Sequence, residues 1–313
     1  MNFYELYLFD FKGGSVVERT ILQYQKAYNS IIDKLKSKKN IIGVMVFGSM
    51  VSGDLWEESD IDLFVITKDG LSDIENIHLD EKGVPVHIKL MGKEKFINLH
   101  EKDLKGGFIH RIFASSKLVF SKDKEITQRY DDGRYYPDLD RERWNIVYLG
   151  EFLKSMGNCK KQLGNNSIYL ANVSMNKCLE SFAKLYVNYS GYMISKDALT
   201  MAINLDDEFK MYVDKFMYGK EDIKKSINEC LDYLWDYVDL NLKSMCRLLL
   251  GYIKDQDRFL SSSEIKKDPL FVDFNIEVEE ILDKLWDKNI VKRDFREYKF
   301  NNEVLFKENV YYI

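Results

Sequence analysis

Ile41-Ile42-Gly43-Val44-Met45-Val46-Phe47-Gly48-Ser49, ten further residues, then Asp60-Ile61-Asp62-Leu63-Phe64-Val65: the reading of this chain turns on these two stretches. The first is an uninterrupted apolar run that stops at Gly-Ser, the pattern of a short buried strand ending in a turn. In the second, Asp60 and Asp62 alternate with Ile61, Leu63 and Val65, so a strand would put both carboxylates on one face and the aliphatic side chains on the other. At ~3.3 Å rise per residue the two carboxylates start ~6–7 Å apart along the strand, close enough to serve one or two hard cations. Mg²⁺ is held by one or two carboxylates when phosphate oxygens and water complete its shell. A Gly-Ser turn beside them offers close backbone approach, free amides and a hydroxyl, which are the requirements for holding a phosphate.

Helix and strand alternate around this core. Residues 16–38 repeat Val17, Ile21, Tyr24, Ala27, Tyr28, Ile31, Ile32 and Leu35 at helical steps. Val84-Pro85-Val86-His87-Ile88-Lys89-Leu90 alternates as a strand whose proline suits its start or an edge, and Leu118-Val119-Phe120 is a short candidate for a last strand. The polar, turn-rich Asp131-Asp132-Gly133-Arg134-Tyr135-Tyr136-Pro137 closes a first unit over residues 1–130. Residues 131–255 follow, proline-free from Arg141 to Lys254 and striped at helical spacing, as a bundle of four or five helices. Ser261-Ser262-Ser263-Glu264 opens a third unit, residues 256–313: a short helix, a helix over Asn275–Lys288, and strands over Ile290–Phe300 and Val304–Ile313. That order is winged-helix-like. The expected class is α+β, a mixed sheet with helices followed by the bundle and this C-terminal module.

Composition narrows the functions. The 313 residues hold 46 Lys+Arg against 51 Asp+Glu, net −5, and only 3 prolines, which indicates a globular chain without a concentrated positive field for nucleic acid. No apolar run reaches the 18 residues of a membrane span and the N-terminus lacks a signal-peptide pattern, so a cytoplasmic protein without membrane partners is expected. Cys159, Cys178, Cys230 and Cys246 fit neither a CxxC pair nor a short disulfide framework and are expected to be reduced and buried. His78, His87, His100 and His110 form no HxxxH or HExxH pair, so a zinc site is not expected.

The apolar strand, Gly48-Ser49, the spacer of ten and Ser59-Asp60-Ile61-Asp62-Leu63 resemble the signature of the DNA polymerase β-type nucleotidyltransferase superfamily, in its minimal and antibiotic-modifying branch. The motif covers about 25 residues and the element order extends the likeness to the first 125. The resemblance implies that residues 1–130 are a catalytic domain moving an NMP from an NTP, AMP from ATP being the leading case, onto a hydroxyl of a small molecule or protein. It implies Mg²⁺ on Asp60 and Asp62 and nucleotide phosphate at Gly48 and Ser49. Two positions depart from the family pattern. Its third carboxylate, on the next strand, is here His87, whose neutral imidazole could accept the acceptor's proton or ligate a metal weakly. Met50-Val51-Ser52-Gly53 carries none of the basic residues often found after Gly-Ser.

In the antibiotic-modifying branch a glutamate, with a phosphate-binding lysine one helical turn later, can come from the helical domain. Glu180-Ser181-Phe182-Ala183-Lys184 has that shape, which makes Lys184 a nucleotide-binding candidate, with Glu151 and Lys177 as further ones. The plain alternative is an i,i+4 ion pair on a solvated face. A DNA-reading role for the last module is weighed down by its charge, 13 acidic against 10 basic residues from Asp257 to Ile313, although Lys292, Arg293, Arg296 and Lys299 form one basic patch. The rival reading is therefore a non-catalytic regulatory protein that keeps the fold and binds DNA or protein through the module.

Overall fold

Thr20 opens the first helix, α1 (Ile21–Ser37), with a capping box. Its hydroxyl accepts from the Gln23 amide, and its own amide donates to Gln23 Oε1 at 2.8 Å. The structure, a computed structural model, describes residues 20–52, 55–56, 58–68, 70–71, 73–98, 105–194, 197–301 and 303–313. The helix expected from residue 16 is thus described from Ile21, with 16–19 outside the described residues. His100 also lies outside them.

After α1 come β1 (Ile41–Phe47), the single turn α2 (Ser49–Ser52), β2 (Ile61–Thr67), β3 (Glu75–Glu81), β4 (Val84–Gly92) and α3 (Lys93–Ile97). Further along are α4 (Phe108–Ser115), β5 (Lys117–Ser121) and α5 (Lys124–Asp132). The five strands form one sheet in the order β3-β4-β2-β1-β5, parallel between β2 and β4 and antiparallel elsewhere. On one face Ile61, Leu63 and Val65 of β2, with Val84, Val86 and Ile88 of β4, pack under Tyr24, Ala27, Ile31 and Ile32 of α1. Gly43 opens the other face to α5, since a Cβ there would press on Ile126 and Ile66 at 3.1 and 3.2 Å. β3 has no apolar run and was not expected from the sequence. Of its residues only Glu81 is buried, where it accepts from Ser30 and pairs with Lys34 at 2.6 Å.

Two compact units divide the chain. Described residues 20–98 and 115–132 make the first, and 105–114 with 133–313 the second. The second holds α6 (Asp138–Gly164), α7 (Ile168–Tyr189), α8 (Ala198–Leu205), α9 (Asp207–Tyr218), α10 (Ile223–Met245), α11 (Arg247–Gln256), α12 (Ser262–Lys267) and α13 (Val278–Asp287). Among the described residues the bundle therefore has six helices between 138 and 256, where four or five were expected. The extra breaks fall at Asp206, which caps α9 by accepting from the Phe209 amide at 2.9 Å, and at Cys246. All four cysteines are free and buried, and burial pushes the thiols of Cys230 and Cys246 up to about 12.

The last residues form a two-stranded sheet, β6 (Lys292–Phe300) and β7 (Glu303–Tyr312). Helices and hairpin occur in the expected order and share the second unit's apolar core: Leu260, Ile265, Phe271, Ile281 and Leu285 belong to the same cluster as Phe152 and Phe182. The basic patch is engaged internally. Arg293 lies 3.5 Å from Asp283 and stacks over Trp286, and Arg296 bonds Glu264 and Glu308 at 2.7 and 2.8 Å.

Candidate active site

The fold of the first unit brings five of the six sequence-derived site residues together. β1 runs antiparallel to β2 with Phe47 opposite Asp62, so the turn that leaves β1 stands beside the start of β2. Gly48 makes that turn at φ +72°, and a Cβ on it would collide with the Asp62 carboxylate. Glycine is required there twice over, for the backbone angle and for the space. Ser49 follows, its hydroxyl donating to the Asp60 carbonyl at 3.5 Å and tying the two stretches to each other.

Asp60 and Asp62 lie on the sheet face opposite α1, as the alternation predicts. The parallel pairing of β2 with β4 sets His87 directly beside Asp62. His87 Nδ1 is 3.5 Å from Asp60 Oδ2 and 3.7 Å from Asp62 Oδ1. Side-chain exposures of 34%, 28% and 38% for Asp60, Asp62 and His87 leave all three open to a ligand. A depression bordered by Phe47, Asp62, Asn76, His78, His87 and Lys89 continues the site along the sheet.

Two contributors escape a linear reading. His78, on β3, pairs across from His87 and meets it edge-on with ring centroids 4.2 Å apart. Tyr24, read from sequence only as part of the α1 stripe, sends its buried hydroxyl to the carbonyls of Trp56 and Ser59 at 3.0 and 2.8 Å. The Trp56 amide donates to Ser59 Oγ at 3.0 Å. These bonds fasten the loop immediately before Asp60, a part of the site no motif could announce.

Lys184 stands on α7 in the second unit. It pairs with Glu180 at 2.8 Å in the i,i+4 geometry of the plain alternative. Burial raises the carboxyl of nearby Glu151, with Lys184 acting in the opposite direction and Glu180 reinforcing the rise.

Among the described residues no group of three or more His, Cys, Asp or Glu closes around a metal position. The donor set nevertheless fits a divalent cation of the kind that takes part of its shell from its substrate: two partly exposed carboxylates, Asp60 just before β2 and Asp62 within it, beside the Gly48 turn.

A mixed five-stranded sheet with this Gly-Ser turn and Asp-x-Asp edge defines a class, the nucleotidyltransferase fold. Residues 29–125 match the family model "Polymerase beta, Nucleotidyltransferase". The first unit is a domain of the DNA polymerase β-type nucleotidyltransferase superfamily. Among solved structures, a nucleotidyltransferase-like protein from Exiguobacterium sibiricum 255-15 aligns over 92% of this chain and 99% of its own, with a TM-score of 0.61 and 14% identity, a likeness of fold. The spectinomycin adenyltransferase AAD(9) from Enterococcus faecialis, solved with ATP and spectinomycin, aligns over 69% of this chain and 100% of its own at a TM-score of 0.32 and 15% identity. No curated protein matches the chain. No helix among the described residues is long and apolar enough to cross a membrane.

Proposed function

We propose that this protein is a metal-dependent nucleotidyltransferase that moves an NMP, AMP from ATP in the first instance, onto a hydroxyl of a small molecule or protein. The observation that carries the reading is the contact between turn and edge: Gly48 has no room for a side chain because the Asp62 carboxylate fills it. Phosphate cradle and metal carboxylates are thereby one site. In the reaction the acceptor oxygen bonds to the α-phosphorus, the bond from that phosphorus to the bridging oxygen breaks, pyrophosphate leaves and the hydroxyl proton passes to a base. Mg²⁺, when bound, supplies charge neutralisation for the attacking and leaving oxygens.

The chain's own residues divide the remaining work. Asp60 and Asp62 hold the cation, and the Gly48 turn and Ser49 hydroxyl hold phosphate. His87, beside both carboxylates, is placed to take the acceptor's proton through a neutral imidazole nitrogen. Lys184 is a further phosphate ligand in this reading, one that must leave Glu180 to serve. Incubation with labelled ATP and Mg²⁺ tests the assignment. Nucleotide binding should be metal-dependent and fall by at least tenfold in Asp60→Ala and Asp62→Ala, and metal-independent or absent binding by the unaltered protein refutes it.

One observation favours a second reading, a regulatory protein without activity: an imidazole where a third carboxylate is expected leaves the site one negative charge short. Its DNA-binding form is the less supported, because Arg293 and Arg296 are already paired with carboxylates. That form requires a salt-dependent DNA shift that is lost in Arg293→Ala and Arg296→Ala.

A further inference from the structure

We infer that the acceptor of this site is a small molecule carrying a phosphate monoester, seated in the depression on β4 and β3 beside His87 with its hydroxyl toward Asp62. The inference rests on the reading of Asp60, Asp62 and the Gly48 turn as a nucleotidyl-transfer site, and it names the substrate class. Nucleotide phosphate taken at the turn lies on the β1 side of Asp62. An in-line displacement puts the attacking oxygen opposite the leaving one. The acceptor therefore enters from the other side, across β4 and β3.

That side of the sheet is a field of donors. The register pairs Asp62 with His87 and His87 with His78; one row further from the turn it pairs Phe64 with Lys89 and Lys89 with Asn76. Residues opposite one another in a ladder share a face, so all of them stand with the two aspartates on the face away from α1. Lys89 Nζ donates to Asn76 Oδ1 at 3.0 Å. This bond occupies the amide oxygen and leaves the NH₂ to donate outward, while the ammonium keeps its other hydrogens. Lys89 is half-buried, and among the described residues it pairs with no carboxylate. His78, exposed on β3, adds the N–H of its imidazole. Among the described residues bordering the depression Asp62 is the one carboxylate, and the cation answers its charge. Ammonium, amide and imidazole donors from two adjacent strands suit a negative group with three acceptor oxygens, which is what a phosphate monoester presents. A cationic acceptor would instead meet the Lys89 ammonium.

The plain alternative is a cross-strand polar pair on a solvated sheet face, without a ligand. Calorimetric titration of the full-length protein with glycerol phosphate and with glycerol, in Mg²⁺ and without nucleotide, separates the two. Glycerol phosphate should bind about tenfold or more tightly than glycerol. Lys89→Met keeps the aliphatic stem and removes the charge, and Asn76→Leu removes the amide. Each should weaken the ester about tenfold, the loss of a charge-assisted hydrogen bond, while MgATP affinity stays within about twofold. Circular dichroism identifies a variant that fails to fold, and the other then decides. Equal binding of ester and glycerol, an ester affinity untouched in the folded variants, or a parallel loss of MgATP, which would assign Lys89 to the nucleotide, overturns the inference. Metal-dependent ATP binding is scored on its own: ester selectivity without it sinks the proposed activity and leaves an oxyanion site, and ATP binding without ester selectivity sinks only this inference.

Discussion

Gly48 and Tyr24 show how little tolerance the site has at the level of single atoms. Any side chain at residue 48 must adopt a left-handed backbone angle and displace the Asp62 carboxylate. Gly48→Ala is expected to cost about 1–3 kcal/mol of stability and to weaken nucleotide binding more than urea-unfolding midpoints alone would suggest, because the proposed function gives the displaced Asp62 carboxylate the cation to hold. Isothermal titration and urea unfolding of the same variant would separate the two effects. Tyr24→Phe keeps the buried ring and removes only the hydroxyl that reaches the carbonyls of Trp56 and Ser59. A loss of about 0.5–1.5 kcal/mol follows from the missing hydrogen bond. If the loop matters to the site, nucleotide affinity should fall as well, and unchanged affinity would make the tyrosine merely structural.

Elements built from strong local signals could be read from the sequence. The Asp60-Ile61-Asp62-Leu63 alternation is a period-2 pattern, and it placed the carboxylates on the correct face because that face follows from chain geometry alone. β3 could not be read the same way. Glu75-Asn76-Ile77-His78-Leu79-Asp80-Glu81 is an edge strand whose exposed side chains need no apolar run, so only the register with β4 reveals that His78 meets His87. The two short helices and hairpin at the C-terminus were legible as elements, whereas the occupation of their basic residues by Glu264, Asp283 and Glu308 was not. Burial alone would raise the Glu264 carboxyl, but hydrogen bonds from Arg296, the Ser261 amide and Arg258 outweigh it and hold the group at about 2. An unfolded glutamate titrates near ~4.3, so this depressed group adds stability that is complete above that pH and disappears as the pH falls toward about 2. Denaturant midpoints of the unaltered protein and Glu264→Gln should therefore differ at pH 7 and converge in that acid window, and a constant gap would show that the carboxylate's charge is not what stabilises the contact.

At the scale of the molecule, the division of the core decides which parts stand or fall together. The first unit closes its own core between α1 and the sheet, while the second runs one cluster from Ile146 to Tyr311. A sequence boundary at residue 256 follows from composition and turn residues. Yet Leu260, Ile265, Phe271, Ile276, Val278, Ile281, Leu282, Leu285, Val291 and Tyr311, all beyond it, are buried members of that cluster. At ~1.5–3 kcal/mol for each buried side chain, removing them takes away more than the ~5–15 kcal/mol by which a domain is ordinarily stable. Deleting residues 257–313 should thus abolish the cooperative thermal transition of the helices and leave that of the sheet unit in place. Calorimetry of the truncated chain distinguishes the outcomes. A surviving helical transition would make residues 256–313 an independent third domain, whereas its disappearance would make the acidic helix and its hairpin the closing wall of the helical core, with their charged residues already turned to that purpose.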